Sequence, residues 1–76
     1  MPAIYGGANM AAAPDRILRL KAVLDRSGLS RSTVYRKIDE GTFPPQLRLS
    51  LNGVGWRESE LNQWIEDPAG YRAPIL

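Results

Sequence analysis

LKAVLDRSGLSRSTVYRKIDEG, residues 20–41, predicts two short helices joined by a tight turn. In the first half, apolar residues recur at the spacing of one helix face: Leu20, Val23 and Leu24. Gly28 supplies the left-handed backbone conformation that commonly ends a helix. Ser30 follows as an N-cap, whose hydroxyl accepts a hydrogen bond from a free N–H of the next helix. The stretch therefore predicts a helix, a turn containing glycine, and a second helix.

The second helix is predicted over about residues 31–40 and closes at Gly41. Val34 and Ile38 form its apolar side. The rest of its surface carries a polar strip on the first two turns, made by Arg31, Ser32, Tyr35 and Arg36. Two helices joined this way, with arginine and hydroxyl groups on the second, have the layout of a DNA-binding helix-turn-helix.

The composition narrows the classes of function. A chain of 76 residues is one small domain with a lean core. It has no cysteine and no histidine, which excludes disulfides, thiolate metal sites and imidazole chemistry. Its carboxylates are spread along the chain and do not converge on Gly-rich loops, so we expect no enzyme and no cofactor or metal. Neither a signal peptide nor a membrane span is recognisable, so we expect a cytoplasmic protein.

The charge is unevenly distributed, although the net charge is only +2. From Arg16 to Arg57 there are nine basic residues and three acidic residues, whereas the chain from Glu58 onward is net acidic. The positive charge thus lies on the same segment as the two-helix motif, as a phosphate-facing surface requires. An ordinary solvated surface gives the same pattern and stays open as an alternative.

The flanking segments give weaker signals. Residues 1–14 are small, aperiodic and rich in Gly and Pro, which predicts disorder. Ile17 and Leu18 are expected to form a short extended segment before the first helix. After Gly41, the paired prolines of residues 42–45 predict an extended connection. Phe43, the only phenylalanine, is expected to fill the core beneath the helices.

A β-hairpin is predicted after this connection. Leu47, Leu49 and Leu51 alternate with polar residues, which is the period of a half-buried strand. Asn52-Gly53 predicts a two-residue type I′ turn, in which both residues have positive φ. The second strand would follow with Val54 and Trp56. A small hairpin after a helix-turn-helix is a wing.

A third helix is expected from Ser59, as its N-cap, to about Glu66. Its buried stripe is formed by Leu61, Trp64 and Ile65. Residues 68–76 contain Pro and Gly and are expected to be a flexible tail. The predicted architecture is therefore mainly α with a small β-hairpin: a winged helix-turn-helix over residues 15–67.

The polar strip of the second helix contains the strongest candidates for DNA contact. Arginine can donate two hydrogen bonds to guanine, and serine can bond several base edges. Tyr35 is either a phosphate or thymine contact or, being near the apolar stripe, part of the core. Trp56 and Trp64 are read as core residues, although tryptophan also stacks on bases in single-strand binders. Weaker candidates for backbone or wing contacts are Ser30, Lys37, Arg48, Asn52 and Arg57.

The chain resembles the AlpA-like regulators of phages, prophages and satellite elements, relatives of the MerR-type and excisionase winged helix-turn-helix proteins. The resemblance lies in LSRSTVYRKIDEGTFPPQLRL (residues 29–49) and WRESELNQWIE (residues 56–66). It implies that Arg31, Ser32, Tyr35 and Arg36 enter a DNA groove while the hairpin touches the flanking backbone. It also implies a bacterial or phage-encoded protein that is nucleoid-associated when bound. The predicted wing over residues 49–55 lacks the basic residues that many relatives carry near its tip.

Several functions stay open within this reading. The main expectation is a sequence-specific regulator of double-stranded DNA, an activator that works with RNA polymerase. An excisionase that assists an integrase is the alternative, because both roles need the same grip on DNA. A single module of this size buries only about 600–1,000 Å² on DNA, so we expect a homo-oligomer or side-by-side protomers. A protein-interaction module without direct DNA readout is the alternative from another class.

Overall fold

The computed structural model describes residues 15–74, which form three helices and three short strands. In chain order the elements are β1 (Ile17–Leu18), α1 (Leu20–Ser27), α2 (Arg31–Glu40), β2 (Leu47–Arg48), β3 (Val54–Arg57) and α3 (Glu58–Glu66). This is the predicted mainly helical fold with a small antiparallel β part, and it confirms a winged helix-turn-helix. Residues 1–14, for which disorder was predicted, lie outside the described residues. The last two residues of the predicted tail do so too.

Local signals set the ends of the first two helices. Gly28 ends α1 with φ 75°, and Gly41 ends α2 with φ 78°. Both values lie in the left-handed region that glycine adopts without strain. Ser30 is the N-cap of α2, and its Oγ accepts a hydrogen bond from the Thr33 N–H at 3.3 Å. The turn between the helices is thus fixed by the residues that the sequence singled out.

The three strands form one antiparallel sheet in the order β1–β3–β2. Leu18 lies opposite Trp56 across β1 and β3, and Leu47 lies opposite Gly55 across β2 and β3. A Cβ atom on Gly55 would lie 2.7 Å from Ile17 Cγ2 and 3.0 Å from the Leu18 carbonyl oxygen. Glycine is therefore required where the central strand passes between its neighbours.

The hairpin connection differs from the prediction. Strand β2 ends at Arg48, and a five-residue loop, residues 49–53, replaces the expected two-residue turn. The N–H groups of Leu49 and Ser50 both donate to the Gly53 carbonyl, at 2.8 and 3.2 Å, and these bonds close a wider loop in which Gly53 does not adopt positive φ. The predictions of a type I′ turn and of an alternating strand through Leu51 were therefore wrong, because Leu49 and Leu51 belong to this loop.

The start of α3 also differs. The helix begins at Glu58, so Ser59 lies inside it and is not its N-cap. Instead the Asp15 carboxylate accepts hydrogen bonds from the Ser59 N–H at 2.9 Å and from the Ser59 hydroxyl at 2.7 Å. The free N–H group at the start of α3 is thus bonded by a carboxylate that is distant in sequence. The sequence analysis had given this capping role to Ser59 itself.

The core lies between the helices and the inner face of the sheet. Its most buried apolar residues are Leu18, Val23, Val34, Phe43, Trp56, Leu61 and Trp64. The ring of Phe43 packs on that of Trp64 with centroids 5.0 Å apart. The Trp56 indole N–H donates to the Pro44 carbonyl oxygen at 3.0 Å. The core positions predicted for the phenylalanine and both tryptophans are confirmed.

The chain after α3 continues along the domain. Tyr71 is half-buried against the core, and the Ala73 N–H donates to the Gly41 carbonyl oxygen at 2.8 Å, which attaches this segment to the end of α2. The flexibility expected for residues 68–76 stays a prediction. Over residues 15–74, no helix combines the length and apolar character that crossing a membrane demands.

Candidate nucleic-acid interface

The polar strip of α2 faces away from the core. Val34 is fully buried, and Ile38 beside it packs against the core. Because about 100° separates successive helical residues, Arg31 and Tyr35 border this apolar stripe, and Ser32 and Arg36 lie further round the helix. Arg31, Ser32 and Arg36 are exposed there, and Tyr35 is half-buried. The fold therefore brings the four predicted residues onto one accessible surface.

Tyr35 is intermediate between its two proposed roles. Its partial burial agrees with its place beside the Val34–Ile38 stripe, and part of its side chain remains accessible. Its contact with DNA stays a prediction, and so do the contacts of the other strip residues.

The N-terminus of α2 favours an anion next to the polar strip. The Ser30 hydroxyl, predicted as a backbone contact, is engaged at the helix end, where it also donates to the Thr33 hydroxyl at 2.9 Å. No acidic residue lies in the first turn of the helix. Since the helix dipole places partial positive charge here, Arg31 adds to a field that attracts phosphate.

Arg36 has an acidic neighbour one turn further along α2. Its Nε lies 3.8 Å from a Glu40 carboxylate oxygen, and the two side chains are 64% and 53% exposed. An exposed i,i+4 pair of this kind stabilises a helix by only about 0.3–0.5 kcal/mol. The ion pair therefore leaves Arg36 available to a stronger partner at small cost.

Three of the basic residues are held at the start of α3. Arg16 lies 3.1 Å and Arg26 lies 3.3 Å from the same Glu58 carboxylate oxygen, and Arg26 also donates to Asn62 Oδ1 at 2.6 Å. Arg57, predicted as a wing contact, points its guanidinium toward the Asp15 carboxylate at 4.0 Å. Arg16 and Arg26 thus join the segment before β1 and α1 to α3, and the DNA contact of Arg57 stays a prediction.

The two carboxylates of this cluster titrate at lower pH than usual. Hydrogen bonding from Arg16 holds the pKa of Glu58 below its ordinary value. Hydrogen bonding from the Ser59 hydroxyl and backbone N–H does the same for the pKa of Asp15. Both groups are therefore charged near neutral pH. Among residues 15–74, no group of three or more His, Cys, Asp or Glu is arranged to hold a metal ion.

Five basic side chains of the helix-turn-helix and wing have no carboxylate partner in the described part of the chain. Within the described part of the chain, no carboxylate oxygen lies within 4 Å of the charged groups of Arg19, Lys21, Arg31, Lys37 or Arg48. These residues lie at the start of α1, on α2 and on the wing. The structure thus separates cations that stabilise α3 from cations that leave positive charge on the helix-turn-helix and wing.

The wing carries two of the weaker candidates in exposed positions. Arg48 donates through Nη1 to the Leu51 carbonyl oxygen at 3.2 Å, and Asn52 lies in the loop. Arg19 was not singled out from the sequence, yet its Nη2 would lie 3.7 Å from a Cβ built on Gly53, beside the wing loop. Its only sequence signal was membership of the basic segment.

Comparison with known proteins gives consistent matches. Residues 16–69 match the family model described as prophage CP4-57 regulatory protein (AlpA). The chain is 45% identical over 51 residues to the uncharacterized protein ORF88 of Enterobacteria phage P4, covering 67% of this chain and 58% of that protein. It is 38% identical over 56 residues to the DNA-binding transcriptional activator AlpA of Escherichia coli K12, covering 66% of this chain and 80% of that protein. The chain thus spans less than two thirds of the phage P4 relative. No solved structure matches it.

Proposed function

The chain belongs to the family of the prophage CP4-57 regulatory protein AlpA, and we propose that it is a sequence-specific regulator that binds double-stranded DNA. The observation that carries this proposal is the accessible strip on α2, where Arg31, Ser32 and Arg36 are exposed on the motif's second helix. In a helix-turn-helix this helix lies in the major groove, with its N-terminal residues against base edges. The family is one of regulatory proteins and not of enzymes.

Each part of the surface has its own role in the proposed complex. The arginines of α2 read base edges, because a guanidinium can donate two hydrogen bonds to guanine. The N-terminus of α2 and the cations Lys37, Arg48 and Arg19 contact phosphates and set the orientation of the domain. Asp39 and Glu40 lie in the last turn of α2, away from the strip's N-terminal end.

We further propose that the protein activates transcription. The relative from Escherichia coli K12 is named a DNA-binding transcriptional activator, and it is matched over 80% of its length. Such a role requires contact with RNA polymerase after DNA is bound. A reporter gene placed behind a bound site tests this directly: expression should rise with the protein and not with a variant that no longer binds the site. Lowered expression would indicate a repressor.

We also propose that several protomers bind side by side. One module buries only about 600–1,000 Å² of its surface on DNA, which gives limited discrimination among genomic sites. Gel shifts on natural sites should therefore show a ladder of complexes that appears cooperatively. A single complex at all protein concentrations would contradict this part of the proposal.

The central experiment selects duplexes from a random-sequence library with the wild-type protein and then measures affinity by gel shift. Arg36→Ala should weaken binding to the selected duplex by about 10–100-fold, which is the discrimination that a good arginine–guanine contact provides. Arg72→Ala is the matched control: it removes the same charge from an exposed residue outside α2, whose guanidinium donates to the Ala69 and Tyr71 carbonyl oxygens. It should change affinity less than about twofold.

Salt dependence distinguishes DNA binding from a protein-interaction module. Each phosphate contact adds about 0.9 to the slope of log K against log salt concentration. Lys37→Ala should therefore lower that slope by about 0.9 if its ammonium neutralises one phosphate. If the folded wild-type protein selects no duplex from the library, the DNA-binding proposal is refuted and the protein-interaction alternative is favoured.

A further inference from the structure

The loop of the wing, residues 49–53, presents an unusually accessible apolar side chain. Leu51 is 84% exposed, about twice the exposure of Ile17, at 43%, and of Leu49, at 41%. Both of these residues lie against Gly55 on the sheet, so they are partly covered. Leu51 has no such cover. A single exposed leucine is common on protein surfaces, so a binding role is inferred from its place on the wing and from the groups around it.

The loop holds Leu51 in a defined position. Arg48 Nη1 donates to its carbonyl oxygen at 3.2 Å. The Gly53 carbonyl accepts from both Leu49 and Ser50, and the Gly53 N–H returns a bond to the Ser50 carbonyl at 3.4 Å. A Cβ on Gly53 would lie 2.8 Å from Ser50 Oγ, so the loop is closely packed on its inner side. The leucine is thus presented by a loop with its own hydrogen bonds, which lowers the entropy lost on binding.

Polar and positive groups surround the leucine. Arg48 lies beside it, and Asn52 follows it directly in the exposed loop. Arg19, at the start of α1, brings its guanidinium next to Gly53. Residues 41–57 contain no aspartate or glutamate. The leucine is therefore an apolar side chain within a cationic, amide-bearing surface.

This combination fits the minor groove of DNA better than a pocket on a protein. A protein pocket for the leucine would need acidic side chains at its rim to pair with the two guanidinium groups, whereas every step of a DNA groove is lined by phosphates. The minor groove has negative potential that attracts arginine. Proteins that bend DNA insert leucine and similar side chains between base pairs there, which unstacks one step and kinks the duplex.

We propose that Leu51 is a wedge that enters the minor groove next to the major groove occupied by α2 and partly unstacks one base step. Arg48 and Arg19 then lie along the flanking phosphates, and Asn52 faces the groove floor. The inserted step should be a flexible pyrimidine–purine step. This inference rests on the proposed DNA binding, and what it adds is the assignment of the unstacking contact to one side chain and a second element of site preference.

The test uses the duplex selected by the wild-type protein, with 2-aminopurine at successive positions beside the α2 site and a fluorophore at each end. The wild type should raise 2-aminopurine fluorescence at one step and bend the duplex by about 20–90°. Leu51→Ala should abolish the fluorescence rise and at least halve the bend. Its affinity should fall by less than about tenfold, because the restored base stacking offsets much of the lost contact. Leu51→Met should retain both signals.

Ile65→Ala is the matched control. The sequence placed Ile65 in the buried stripe of α3, which was wrong: the residue is 39% exposed there, outside the wing. This substitution should leave bend and fluorescence unchanged. If Leu51→Ala bends DNA and raises fluorescence as the wild type does, the wedge is overturned while DNA reading by α2 stands. If Leu51→Ala keeps both signals but loses cooperativity between protomers, Leu51 belongs to a protein contact and the wedge is again overturned. A wild type that shifts no duplex at all removes the DNA-binding proposal and the wedge together.

Discussion

Replacing Trp56 by phenylalanine removes the indole N–H that donates to the Pro44 carbonyl oxygen at 3.0 Å. Both residues are fully buried. The bond joins the central strand of the sheet to the connection that follows α2, so it helps fix the wing relative to the helix-turn-helix. The variant leaves the Pro44 carbonyl without its partner in a place that water does not reach. Such a group costs about 1–3 kcal/mol of stability.

Trp64 provides an internal comparison, because the same substitution there removes no hydrogen bond. Its side chain is 5% exposed, and its Nε1 has no hydrogen-bond partner within residues 15–74. Trp64→Phe removes a similar part of the ring and retains an aromatic side chain against Phe43. Each variant should lose about 1–2 kcal/mol in packing, and Trp64→Phe also removes a buried N–H without a partner. The difference between the variants therefore combines the loss of the Pro44 bond with that relief.

We expect Trp56→Phe to cost about 1–3 kcal/mol more than Trp64→Phe in the free energy of unfolding. Urea denaturation followed by circular dichroism measures both values. With a slope of about 1 kcal/mol per molar urea for so small a domain, the two midpoints should differ by about 1–3 M. If Trp56→Phe is unfolded without urea, all three proteins are compared in one concentration of trimethylamine oxide, which favours the folded state.

Equal losses in the two variants, or a larger loss in Trp64→Phe, would refute the reasoning, since the Pro44 bond would then add nothing beyond ring packing. A DNA gel shift at a protein concentration where both variants are folded gives a second readout. Trp56→Phe should bind the selected duplex more weakly than Trp64→Phe, because it loosens the attachment of the wing.

Three further predictions concern charge, acid and backbone. Glu40→Gln should tighten binding to the selected duplex by about two- to fourfold in gel shifts, since it frees Arg36 from an ion pair worth about 0.3–0.5 kcal/mol and removes a negative charge near DNA; weaker binding would contradict this. Folding lowers the pKa values of Asp15 and Glu58, so the stabilisation from these two carboxylates is present above about pH 4 and is lost as pH falls further. The melting temperature of the double variant Asp15→Asn, Glu58→Gln should therefore depend less on pH between about 5 and 2.5 than that of the wild type. An unchanged pH dependence would count against these contacts. Gly28→Ala should cost about 1–2 kcal/mol in urea denaturation because φ is 75° there, although its Cβ meets no atom within 4 Å; no loss would show that the α1 turn relaxes.

Signals carried by neighbouring residues were the ones that the sequence predicted well. Gly28, Ser30 and Gly41 act within one turn of helix, so their effect on α1 and α2 depends little on the rest of the fold. Phe43 and Trp56 could be assigned to the core because so small a domain needs its few large apolar residues there. The strip on α2 followed from helical spacing alone.

Long-range contacts explain what the sequence left undetermined. Ser59 has the chemistry of an N-cap, but the carboxylate that satisfies the start of α3 comes from Asp15, 44 residues earlier. Asn52-Gly53 predicts a tight turn in isolation, whereas pairing of β3 with two strands and the bonds to the Gly53 carbonyl produce a wider loop. In that loop Leu51, which was expected in a strand, is the most exposed large apolar side chain among residues 15–74, and Arg19 lies beside the loop.

The pairing of β1 with β3 has a consequence for synthesis. The strand partners of Ile17 and Leu18 are Arg57 and Trp56, which are synthesised about 40 residues later. The core beside the first helix therefore cannot form on an incomplete nascent chain. A product that stops before residue 54 also lacks Leu61 and Trp64, and both helices of the motif would remain open to proteases. Premature termination should therefore yield degraded fragments, and no truncated competitor should accumulate to occupy the proposed DNA site in place of the intact protein.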